Sequence, residues 1–183
     1  MAGASIAALV VFGLIVPLGA MRFENQDSFC ASCHTEGELT FFHRETAAAA
    51  ADLASFHAQT GAARCIDCHT GPGVIGRYIG LTYGASDLVS YARGHYPQPA
   101  LQDNPIGDGN CLKCHGAVFD NQDFSNHFHV LLPKWQAADP RNAARCVDCH
   151  ASHATDGSPA TSFLNQQSTI PICQKCHAFA GQG

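Results

Sequence analysis

The chain has little charge. Asp, Glu, Lys and Arg make up 14% of its 183 residues, with 15 acids against 10 bases. The formal charge is −5 and no basic run occurs. Both facts exclude nucleic acid as a partner. Strong apolar–polar alternation is also missing, so little β-structure is expected. Methionine is scarce, limited to Met1 and Met21. Cysteine is absent outside a single pattern, and that absence is the most informative of all.

All ten cysteines fall into five copies of Cys-x-x-Cys-His. They are Cys30–Cys33–His34, Cys65–Cys68–His69, Cys111–Cys114–His115, Cys146–Cys149–His150 and Cys173–Cys176–His177. The spacing reads as c-type haem attachment. Two thiols form thioethers with the porphyrin, and the adjacent histidine ligates iron from one face. Paired knuckles also build zinc ribbons, but those need no histidine directly after every second cysteine. Five disulfides would leave the repeated histidine equally unexplained. The expectation is five covalently bound haems c, with no thiol left for other chemistry.

Five haems leave about 37 residues for each, too few to surround each with a conventional apolar core. The porphyrins are expected to form most of the core, with the chain wrapped around them. Seventeen glycines and nine prolines suit such a chain. The expected fold is mainly α with much irregular structure. Short helices should carry the motifs. A longer one is expected at Thr40–Gln59, where Ala47–Ala51 favours helix, with a second, short helix at Ser86–Gly94 and a third over Pro133–Ala138.

Six histidines lie outside the motifs: His43, His57, His95, His127, His129 and His153. Six extra imidazoles for five irons point to distal ligation, four or five of them serving and at least one spare. Such irons are six-coordinate and suited to electron transfer rather than substrate binding. With so few methionines, histidine–methionine ligation is not expected. His153 follows proximal His150 by three residues, so it should reach a neighbouring haem. His127 and His129 should serve different haems, or only one of them should be a ligand. On one continuous helix His43 and His57 would lie ~21 Å apart and could not share an iron. Arg64 and Arg145, just before their motifs, are candidates for propionate contacts or plain surface residues.

Residues Ala2 to Met21 carry no charge. As a helix they would span ~30 Å, the depth of a bilayer core. Gly3, Ala7, Gly13 and Gly19 would suit packing among other membrane helices. A cleaved leader would place bulky Leu18 where a small residue is wanted. The expectation is therefore a transmembrane anchor over residues 1–22 and a pentahaem domain over 23–183. Haem c attachment generally occurs outside the cytoplasm, so the domain is expected on the periplasmic side.

The first cysteines of successive motifs are 35, 46, 35 and 27 residues apart. Ala62-Ala63-Arg64-Cys65-Ile66-Asp67 matches Ala143-Ala144-Arg145-Cys146-Val147-Asp148, while Lys113 and Lys175 precede the second cysteines of the third and fifth motifs. This context suggests a duplicated two-haem unit, motifs 2–3 and 4–5.

The Phe29-Cys30-Ala31-Ser32-Cys33-His34 start, and His57 ahead of Cys65-Ile66-Asp67-Cys68-His69-Thr70-Gly71-Pro72-Gly73, resemble the membrane-anchored quinol-dehydrogenase cytochromes of periplasmic nitrate and nitrite reductase systems. Thr35-Glu36-Gly37 departs from the methionine those proteins often carry there. Five motifs in a short chain with one membrane helix look like the pentahaem subunit of alternative complex III. These resemblances imply a relay of electrons from other subunits of a quinol-oxidising membrane complex to a soluble or membrane-bound acceptor. A stand-alone quinol dehydrogenase feeding a periplasmic reductase is the alternative. A multihaem reductase would need an iron without a distal ligand, and the six extra histidines argue against one. The chain thus reads as an electron-transfer subunit rather than a catalyst on its own.

Overall fold

Very few side chains escape solvent in the computed structural model, which describes residues 11–33, 36–100, 105–120 and 123–181. The buried apolar residues are Ala31, Trp135, Ala144 and Phe163. The accessible surface is 12298 Å², against about 8,500 Å² for an ordinary folded chain of this mass. Polypeptide alone does not build a core here, as the ratio of residues to motifs implies.

Helices dominate, and among the described residues there is no strand. The helices are α1 (Val16–Glu24), α2 (Asp27–Cys30), α3 (Glu38–Glu45), α4 (Leu53–Gln59), α5 (Cys65–His69), α6 (Gly73–Ala92), α7 (Asp108–His115), α8 (His127–Ala138), α9 (Cys146–Cys149) and α10 (Gln166–Ala180). The first four motifs begin on the short helices α2, α5, α7 and α9, as expected. The fifth lies within the longer α10.

The membrane-spanning helix expected at the N-terminus is a correction. Among the described residues no helix is long and apolar enough to cross a membrane. A π-helical turn at Val11–Ile15 leads into α1, and residues 1–10 lie outside the described part. α1 ends in charge and is tied to the body. Arg77 donates to the Met21 carbonyl at 3.0 Å and to Asn25 Oδ1 at 2.9 Å, and pairs with Glu24 at 3.6 Å. Burial raises the Glu24 pKa, and Arg77 opposes the rise.

The continuous Thr40–Gln59 helix is also revised. Alanine propensity loses to capping between α3 and α4. Thr46 folds its hydroxyl back onto the Phe42 and His43 carbonyls, both at 3.2 Å. Asp52 starts α4 through a capping box with Ser55. Gln59 then donates to the Arg44 and Ala47 carbonyls, holding the two helices side by side. The Ser86–Gly94 helix proves to be the end of the much longer α6, which stops just before Gly94, in the left-handed region at φ 67°. Pro133 lies inside α8 rather than at its start.

α6 lies close to the segment before it through a stripe of small residues. A Cβ on Gly76 would overlap the Gly71 carbonyl, and one on Gly80 would collide with the Thr70 methyl. In the G-x-G-x-x-G of residues 71–76, Gly71 and Gly76 therefore answer to packing, while Gly73 answers to its left-handed φ of 69°. The pattern follows helix α5, not the strand a dinucleotide fold needs. Gly76→Ala should lower the stability of the haem-loaded chain by about 2–3 kcal/mol in denaturant unfolding. Gly84→Ala, whose Cβ would meet only the flexible Glu24 carboxylate at 3.4 Å, should cost less than about 1 kcal/mol.

Candidate haem sites

Each motif helix begins with backbone N–H groups that lack partners within the helix. In the second motif, Asp67 accepts from the Arg64 N–H at 2.9 Å; in the fourth, Asp148 accepts from the Arg145 N–H at 2.7 Å. A second carboxylate arrives from the region of the preceding motif. Asp27 Oδ1 accepts from Cys65 N–H at 3.0 Å, and Asp108 Oδ1 from Cys146 N–H at 2.7 Å. Both bonds cross 38 residues. The same link thus joins motif 1 to motif 2 and motif 3 to motif 4. The repeated 35-residue spacing is the sequence signal for this pairing.

The motifs form a chain in space that follows their order in sequence. The Cys30 thiol meets that of Cys65, and Cys111 meets Cys146. These hydrogen bonds lower Cys30, hold Cys111 at about 7, and push Cys65 and Cys146 up. Motif 3 lies across motif 2. Asn110 donates to the Cys68 carbonyl at 2.6 Å, and Lys113 to the carbonyls of Asp67 and Thr70. Cys149 lies within electrostatic reach of Cys173, and burial first, then that neighbour, raises it to about 11. Consecutive motifs are therefore neighbours along the whole chain.

The histidines carry the clearest geometry. His57 and His115 have ring centroids 6.0 Å apart, His69 and His153 6.3 Å, His127 and His177 6.2 Å, and His129 and His150 6.1 Å. Each pair joins a motif histidine to one from outside the motifs. Imidazole nitrogens sit about 2.0–2.1 Å from a first-row metal ion, so two on opposite faces of one iron place their centroids roughly 6.3 Å apart. The residues present fit a haem between two axial imidazoles. When bound, such a haem accepts and returns one electron at a closed iron.

Several of these rings are oriented by their other nitrogen. His57 Nδ1 bonds the Leu53 carbonyl at 2.8 Å, His129 Nδ1 bonds Asn126 Oδ1, and His150 Nδ1 bonds the Ser162 carbonyl at 2.9 Å. Each bond leaves Nε2 for metal. Burial lowers the pKa of His69, His129 and His153, favouring the neutral, ligating form. Nothing in the sequence singles out Ser162 and Phe163. Both hold positive φ, 51° and 57°. That strained turn aims the Ser162 carbonyl at His150 and seats buried Phe163 against Phe56, ring centroids 5.4 Å apart.

The structure separates His127 from His129, as helical spacing requires, and carries His153 away from its own motif to the second. His43 is exposed at the end of α3. His95 is exposed beyond α6, with Nδ1 on the Arg93 carbonyl at 2.8 Å. His34 lies outside the described residues, and so does the side chain of Cys33. Cys114 and Cys173 are exposed; Cys176 is half-buried. Arg64 donates to the Asn25 carbonyl at 2.9 Å. Arg145 lines a cavity of about 450 Å³ with Trp135, Arg141 and Lys175. Asp27, Glu45 and Cys65 bring ligand atoms within 4.8 Å of one another. Burial first, and Asp27 second, raise Glu45 to about 7. Cys65 belongs to the second Cys-x-x-Cys-His motif, where the haem-attachment pattern claims its thiol.

The family model described as cytochrome c3 matches residues 88–178. No curated protein and no solved structure matches the chain. The matched segment contains the third, fourth and fifth motifs with His95, His127, His129 and His153. It supports a multihaem cytochrome with covalently bound c-type haem, whose chemistry is electron transfer. Removing the carboxylate that links consecutive motifs tests the geometry directly. Asp108→Ala should lower the stability of the haem-loaded chain by about 1–2 kcal/mol in thermal unfolding, and Asp108→Asn by less.

Proposed function

We propose that this multihaem cytochrome carries five haems c and works as an extracytoplasmic electron relay. It takes electrons from a quinol-oxidising membrane complex and passes them to a soluble or membrane-bound acceptor. The observation that carries this reading is the set of four histidine pairs at the spacing of bis-imidazole iron. Closed irons conduct; they have no site for nitrite or hydroxylamine. The ordered contact of consecutive motifs supports a conduction path from the first motif to the fifth.

In this reading His153 ligates the haem of the second motif, His57 the third, His129 the fourth and His127 the fifth. His43 and His95 remain as candidates for the first iron. Nδ1 contacts hold His57, His129 and His150 in one orientation, so little reorganisation accompanies electron transfer at the irons they serve.

Two measurements test the proposal. Iron and haem content of the purified full-length chain should equal five per chain. Electron paramagnetic resonance of the ferric protein should then show two kinds of low-spin signal. The rings of His129–His150 and His69–His153 lie 7° and 25° from parallel. Those of His57–His115 and His127–His177 are crossed at 89° and 68°. Near-parallel axial planes give rhombic spectra, and crossed planes give strongly anisotropic ones. Replacing His57, His127, His129 or His153 by alanine should turn one haem high-spin in each case. At most one of His43→Ala and His95→Ala should do so. A wild-type chain holding several high-spin haems that bind cyanide would replace relay by catalysis.

A further inference from the structure

Asp52 is 1% exposed and caps α4, yet it faces a segment about a hundred residues further along the chain. Its Oδ1 accepts from the Ser55 N–H at 2.8 Å, and its Oδ2 accepts from Arg44 Nη1 at 3.0 Å. Oδ2 also lies 3.9 Å from His153 Nδ1, a buried nitrogen with no closer hydrogen-bond partner. Arg44 Nη1 donates to the His153 carbonyl at 3.0 Å. Phe41 stacks on the His153 ring, with centroids 3.7 Å apart and planes 9° from parallel. The Arg44 guanidinium lies 5.5 Å from the Phe41 centroid and completes the cluster. The Ala54 N–H donates to the Ser152 carbonyl at 2.9 Å and fixes the approach of the two segments.

His57, His129 and His150 direct Nδ1 at neutral oxygens. His153 instead faces a carboxylate. A carboxylate behind an axial imidazole raises its basicity and favours the more positive, ferric state of the iron. We infer that Asp52 is a positioning residue that lowers the reduction potential of the haem on Cys65 and Cys68, acting through His153, with Arg44 moderating its charge. The inference rests on the assignment of His153 as that haem's ligand.

The test uses the full-length, haem-loaded chain, followed by potentiometric titration with absorbance and electron paramagnetic resonance. His153→Ala first identifies the haem by turning it high-spin. Absence of that change would overturn the ligand assignment itself. Asp52→Asn keeps the helix cap, since Asn caps as well as Asp. It should leave the haem low-spin and raise its midpoint by an amount equal to about tenfold in the reduction equilibrium, about 59 mV for one electron. Arg44→Gln, which exposes the Asp52 charge to the imidazole, should lower the same midpoint. A merely structural role predicts no such opposite pair of shifts. An unchanged midpoint in a low-spin Asp52→Asn protein, or shifts of the same sign in both variants, would overturn the inference while leaving the ligand assignment intact.

Discussion

The separation of about 6 Å between paired histidine rings is the constraint on which the rest of the structure depends. It is the span of one metal ion with two axial imidazoles. The pairs join residues 57 with 115, 69 with 153, 127 with 177 and 129 with 150. Each therefore ties together segments that are distant in sequence. With only four apolar side chains buried among the described residues, ordinary packing contributes little to that closure. Short capping interactions and single long-range hydrogen bonds set the details. Asp27 and Asp108 place the second and fourth motifs, and Lys113 holds the third against the second.

The arrangement connects local chemistry to function. Motifs in sequence order lie against one another in space, so cofactors attached to them would form a row. The histidines paired with the motifs come from outside that order: His57 precedes the second motif but meets the third, and His153 follows the fourth but meets the second. The row is thereby laced across its length. In the proposed reading, the cofactors that would hold together a chain with so little core are the same ones that carry the electrons.

Much of the candidate site was legible in the sequence. Five repeated motifs and six further histidines mark the candidate attachment residues and ligands, because thioether formation and axial ligation demand those residue types at those spacings. His127 and His129 were expected to serve different haems or to leave only one ligand, and the helix over both, which the structure supplies, is what separates them. Other features were not legible. The alanine-rich stretch at residues 47–51 reads as helix, but Thr46 and Asp52 cap the chain on either side of it. The uncharged N-terminal stretch reads as a membrane span, but its described part is a short helix whose charged end is held by Arg77.

The sequence by itself determined the cofactor class, the candidate attachment motifs and the predominance of helix, since each rests on residue identity at short range. Only the tertiary structure decided which histidine meets which motif, how the motifs are ordered in space, and which carboxylate stands behind His153. Those are contacts between segments tens of residues apart. Their formation depends on which surfaces meet when the chain closes, and no local pattern encodes that.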